Sequence, residues 1–243
     1  MTQRSPFIGL SAIGMAIGFN LPYLALAQSY DYPAVLRRPA GEALTLFSEG
    51  GAVLILTWHA FAWAALLFVP LSLGLALTAE NRGASERLSI AAALTGALSG
   101  VTQSIGLWRW VFVVPDLARE YSASSADAAA RAAAAHSFGV LNAYGGVAIG
   151  EHLGQWLLVF FMLSLSALQW RRGLRAAPAI GFLAAMAIAT GTNEGIAIAL
   201  GRAGDVFSLF TIGGFLGLTV WLIATGLVHL RPERAGREEA RRR

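Results

Sequence analysis

The hardest constraint on this chain is the length of its apolar runs. Phe7 to Ala27, Ala52 to Leu77, Ser89 to Val114, Val147 to Leu168, Ala179 to Leu200 and Val206 to Leu230 each extend for at least 21 residues. At 1.5 Å per residue, about twenty helical residues cross a hydrocarbon core of about 30 Å. Lipid offers no hydrogen bonds to a bare backbone, so a spanning segment has to satisfy its own amides, which a helix does internally. The fold class that follows is all-α, a polytopic transmembrane bundle of six spans. Composition agrees: 56% of the 243 residues are hydrophobic and 13% are charged, against about a quarter charged in soluble domains. Residues 1–230 read as a single membrane domain and residues 231–243 as a basic tail.

All 18 basic residues are arginine, and their placement predicts an orientation. Arg4, Arg82, Arg87, Arg171, Arg172, Arg175 and six arginines from Arg231 to Arg243 fall on one side. Arg37, Arg38, Arg119, Arg131 and Arg202 fall on the other. Because positive residues accumulate on the cytoplasmic side, both termini are expected inside the plasma membrane of a bacterium. The same reasoning explains the basic pI without a nucleic-acid partner. The tail RPERAGREEARRR reads as an orientation signal in contact with anionic lipid headgroups. With no cysteine, disulfides and thiolate chemistry are excluded.

The first span has two readings. Arg4, an apolar stretch and Ala25-Leu26-Ala27 resemble a cleavable signal peptide, whereas retention keeps Asn20 within the bundle. Two connections, Gln28 to Gly51 and Pro115 to Gly146, are long, fall on the external side and are expected to hold interfacial helices. In the second, Ser124-Ser125 reads as an N-cap before an alanine-rich helix. In the first, Pro33 to Phe47 reads as an amphipathic segment on the membrane face.

Close helix crossings are expected where small residues recur every fourth position. Gly146, Gly150 and Gly154 do so in span four, Gly96, Gly100 and Ser104 in span three. Isolated pairs are Gly14 with Gly18 and Gly213 with Gly217.

Ionisable groups within spans cost several kcal/mol unless paired or hydrated, so they mark candidate sites. With the orientation above, Asn20, His59, Arg109, Glu151, His152, Asn193 and Glu194 all fall in the outer half of the bilayer, and the inner half is nearly free of such groups. One reading is structural: Arg109 neutralises Glu151 or Glu194 as a buried pair. The other is an outward-facing polar cavity in which Arg109 holds an anionic or headgroup-like ligand. Trp108 and Trp110 flank Arg109 as an interfacial belt. Glu151 and His152 are consecutive on a helix and point about 100° apart, which argues against a shared metal ion. No metal, cofactor or catalytic residue is predicted, because no phosphate loop, nucleophile elbow or zincin motif occurs.

Three segments, Asp31-Tyr32-Pro33-Ala34-Val35-Leu36-Arg37, Arg109-Trp110-Val111-Phe112-Val113-Val114-Pro115 and Gly150-Glu151-His152-Leu153-Gly154, resemble a bacterial family of integral membrane proteins that is known as a domain of unknown function. The similarity spans roughly Phe7 to Leu230. It implies a retained first span, about six helices, and Arg109, Pro115, Glu151 and His152 as parts of the family pattern; it implies no activity.

Three functions remain open from sequence. The first is a membrane protein whose cavity binds a small molecule, lipid headgroup or ion for sensing or transport. The second is a membrane enzyme using Glu151 or Glu194 as base, His152 as proton shuttle and Arg109 as anion clamp. The third is a structural or regulatory subunit that packs on a partner membrane protein or on a second copy of itself.

Overall fold

The structure is a computed structural model that describes residues 6–230; Arg4 and the basic tail lie outside the described residues. Six of its helical stretches are long and apolar enough to cross a membrane. In chain order the elements are α1 (Pro6–Tyr30), a 3-10 turn (Ala34–Arg37), α2 (Ala40–Ala76), α3 (Ala79–Phe112), α4 (Val114–Ser122) and α5 (Ala128–Leu141). A π-helical segment (Asn142–Leu153), α6 (Gly154–Arg171), α7 (Ala176–Gly191), α8 (Asn193–Ala199) and α9 (Asp205–Leu230) follow. No strand occurs among the described residues.

The spanning helices form a ring. Packing runs α1 on α2, α2 on α3, α3 on α6, α6 on α7, α7 on α9, and α9 back on α1. Each helix therefore meets its sequence neighbours, and the sixth closes on the first.

The long connections are helical, but their boundaries differ from the sequence expectation. The helix after Ser124-Ser125 starts at Ala128, capped by Asp127, whose carboxylate accepts from the Ala130 amide at 2.8 Å. It then runs without a break through the π segment into α6, one rod in place of a separate loop helix. In the first connection the stretch from Ala40 runs into the second span through Gly51. The φ of +56° there is open to glycine at little cost and bends the chain between the two parts.

Two clusters hold the ring. At one end an aromatic cluster gathers Tyr30, Phe47, Trp58, Trp110 and Phe138. Trp58 and Trp110 stack with ring centroids 4.8 Å apart, and Tyr30 meets Trp110 edge-on at 5.5 Å. The Tyr30 hydroxyl donates to the Ala43 carbonyl at 2.9 Å, so the buried phenol keeps its hydrogen bond and ties α1 to the start of α2. At the other end Phe68, Phe161, Leu165 and Trp221 form an apolar core. There Ser89 donates to the Ala76 carbonyl and Asn81 to the Leu75 carbonyl, which closes the α2–α3 turn.

Glycines set how near the helices come. A Cβ on Gly106 would lie 2.8 Å from the Gly150 Cα, and one on Gly226 would lie 2.6 Å from the Gly9 carbonyl oxygen. At both crossings backbone meets backbone. A Cβ on Gly14, Gly18 or Gly213 would meet nothing within 4 Å.

Candidate functional site

Inside the ring, toward the aromatic end, lies a cavity of about 500 Å³ to which all six spanning helices contribute. That is within the usual range for small-molecule sites. Most of its wall is apolar, with Phe19, Phe61, Phe215 and Leu222 among the lining residues; the polar groups of the sequence reading edge an apolar chamber.

Arg109 sits one turn before the end of α3. The α3 backbone touches the π segment at Gly106 and Gly150, so the arginine is carried against a glycine-stripped surface. A Cβ on Gly146 would fall 2.5 Å from its Nη2, which means that only glycine leaves room for the guanidinium there. Arg109 donates to the Gly106 carbonyl and, at 3.0 Å, to the Asn142 side-chain oxygen. Its guanidinium carbon is 5.1 Å from the Trp110 ring centroid, within reach of a cation–π contact. The residue is 7% exposed, its Nε–H has no partner, and no carboxylate among the described residues lies within 4 Å of it. A cation is thus buried on the cavity wall with neutral partners only.

The carboxylates go to a different arginine. Arg37, on the 3-10 turn, donates from Nη2 to Glu151 at 2.6 Å and from Nε to Glu194 at 2.9 Å. The expectation that Arg109 neutralises one of these carboxylates is corrected accordingly: the connection after α1 folds over the cavity and brings its own cation. Burial pulls the Arg37 guanidinium down, but Glu151 and then Glu194 outweigh it and hold the group above its ordinary value. Next to it, burial first and the Glu151 carboxylate second push the Tyr32 phenol well up. Arg37 therefore bridges the turn, the π segment and α8, and Asn142 adds a bond to the Leu36 carbonyl at 3.3 Å.

Of the other residues singled out in the sequence, Asn20 lines the cavity and donates to Thr219 at 2.9 Å and to the Ala16 carbonyl at 2.7 Å. His152 lines it with Nδ1 3.2 Å from the Thr192 carbonyl, and Glu151 and Glu194 line it beside Arg37. His59 and Asn193 do not line it. The His59 Nε2 accepts from the Trp63 indole at 2.9 Å, and Asn193 is exposed and bonds back to the Ala189 and Thr190 carbonyls. Glu151 and His152 stand on the π segment, so the α-helical angle assumed between them from sequence does not apply. Such segments are rare and cluster at functional sites.

Residues 7–226 match the family described as a domain of unknown function (DUF4386). The chain belongs to that family. No curated protein and no solved structure matches it. Sequence reasoning missed two site residues of this DUF4386 chain, Arg37 and Asn142. In the sequence Arg37 reads only as a topological charge, although it closes the first of the three segments that carry the family resemblance. For Asn142 the sequence offers no signal, since it falls in the long connection from Pro115 to Gly146, ahead of the fourth apolar run.

Proposed function

We propose that this DUF4386 protein is a membrane-embedded binding protein whose ring of helices holds a small molecule bearing an anionic group, as a sensor or carrier would. The mouth of the cavity faces the outside of a bacterial plasma membrane, with both termini in the cytoplasm. The observation that carries the reading is Arg109: a buried guanidinium on a cavity wall, with an unused N–H and no carboxylate in contact. Burying such a charge is unfavourable by several kcal/mol unless it is compensated, and an anion in the adjacent chamber compensates it. Glu151 compensates it partly from a distance, but the Glu151 and Glu194 carboxylates make their ion pairs with Arg37 and not with it. The arginine distribution supports the orientation, since the cavity lies at the arginine-poor end of the spans.

The test uses purified protein in a neutral detergent with hexyl phosphate as probe and hexanol as its uncharged counterpart. Hexyl phosphate is expected to raise the melting temperature saturably, by about 5 °C near saturation, with little effect from hexanol. Arg109→Gln should weaken the response at least tenfold while the protein stays folded. Equal stabilisation by hexanol, or an undiminished response in Arg109→Gln, overturns the proposal. Orientation is read from single cysteines at Ala143 and Ala79 in intact cells. Only Ala143→Cys should react with a membrane-impermeant maleimide, and the reverse pattern would invert the topology.

A further inference from the structure

Resting on the binding-site reading above, we infer that the occupant is a single-chain anionic amphiphile drawn from the bilayer, which reaches the cavity sideways between α1 and α9. At the aqueous end Arg37 spans Glu151 and Glu194 across part of the mouth, beside Asp205 and Ser208. The side is open. Contacts that fix α1 on α9 are the Gly9–Gly226 crossing and the Asn20–Thr219 hydrogen bond. Three residues before Thr219 in α9, Leu216 lines the cavity and is still 59% exposed. Eleven residues separate it from Asp205 at the start of α9, about 16 Å along the helix, which is close to mid-bilayer depth. A cavity wall exposed at that depth faces hydrocarbon, not water.

The polarity of the chamber suits such an occupant. Arg109 stands near the end of its span, at headgroup depth, and Leu218 and Leu222 line the opposite, inner part. An anionic head on Arg109 with its tail pointing to the bilayer centre keeps the orientation that the molecule has in its own leaflet, so it need not turn over to enter. At about 30 Å³ for each water-sized group, the cavity admits roughly sixteen of them. One hydrocarbon chain with a small head fits that space; a two-chain phospholipid does not.

The experiment reconstitutes the full chain in phosphatidylcholine vesicles that contain a few mole per cent of a diazirine-bearing myristate, followed by photolysis and peptide mapping. In the wild type, label is expected on cavity-lining residues such as Phe215 and Thr219, competed by excess myristate and not by myristyl alcohol. Leu216→Trp, a substitution at an exposed position that narrows the opening, should reduce interior labelling at least fivefold. In detergent, where the probe is free to come from water, wild type and variant are compared for the thermal response to hexyl phosphate; loss of that response as well would mean that the indole fills the chamber and not its opening, and overturns the side route. Undiminished interior labelling in Leu216→Trp overturns the side route. Absence of interior labelling in the wild type, with hexyl phosphate still binding, overturns the lipid and leaves the binding site standing. Failure of hexyl phosphate itself to bind overturns both.

Discussion

The two ends of the ring use polar residues in opposite ways. Toward the Ala76–Ala79 turn the buried ones bind helix to helix: Ser89 to Ala76, Asn81 to Leu75, Gln169 to Thr225 at 3.1 Å, with Arg172 donating in turn to Asn81 at 2.9 Å. Toward the aromatic cluster they are charged and stand around a cavity, and the strongest of their contacts joins a loop to two spans through Arg37. Lipid gives helices no hydrophobic reason to associate, so the first end needs such clasps merely to be a bundle. The second end carries charges that a bundle does not need, and their presence requires another explanation.

That contrast is open to attack by mutation, and the largest effect should come from the crossing that sets the cavity. Gly106→Leu forces a side chain into the Gly150 Cα. It is expected to abolish the monodisperse folded peak in size-exclusion chromatography, whereas Gly14→Leu, with open space around it, should elute unchanged. Arg37→Ala comes next. It removes two charge-assisted hydrogen bonds and leaves Glu151 and Glu194 facing each other, for a loss of about 2 kcal/mol readable as a fall in melting temperature. The sign of the Arg37 shift fixes the pH behaviour. A guanidinium held above its ordinary value stays charged until the solution is more alkaline still, so stability is retained below that point and lost only on rising through it. The melting gap between wild type and Arg37→Ala should therefore stay constant from pH 7 to pH 10; a gap that closes there would break the bridge as an account of loop closure.

Smaller again is Thr219→Val, which deletes one interhelical hydrogen bond and should destabilise by about 0.6 kcal/mol. Smallest is His59→Phe: the imidazole lies off the cavity against Trp63, and the hexyl phosphate response should be unchanged. A weakened response in that variant would mean that the site extends across α2 to the lipid face.

Much of this architecture is written in hydropathy. Six apolar runs give six spanning helices, because crossing lipid leaves the backbone one economical conformation, but three of the helices begin well before their runs, at Ala40, Ala79 and Ala128 in place of Ala52, Ser89 and Val147. The site was legible only in its inventory. Asn20, Arg109, Glu151, His152 and Glu194 announce themselves as polar residues inside apolar runs, and all five reach the cavity wall. His59 and Asn193 carry the same signal, yet they turn outward or back on their own helix, and helical phase alone does not decide between those outcomes when neighbours are unknown. Arg37 carries the opposite signal: between Pro33 and Pro39 it looks like one more loop charge, and its role exists only because the turn folds over the ring. The π segment is equally silent in the sequence, since a wider helix and an ordinary one draw on the same residues.

The contact between Gly106 and Gly150 has a consequence for how such a protein can change over generations. Where two Cα atoms touch, no second substitution elsewhere can restore the lost space, so the position of the Arg109 guanidinium is inherited with that pair of glycines as a unit. The apolar walls are under no such restriction, for Phe19, Phe61 and Phe215 can be enlarged or trimmed one at a time. A lineage built on this plan can retune the length and shape of what it accepts while the charge it recognises stays fixed.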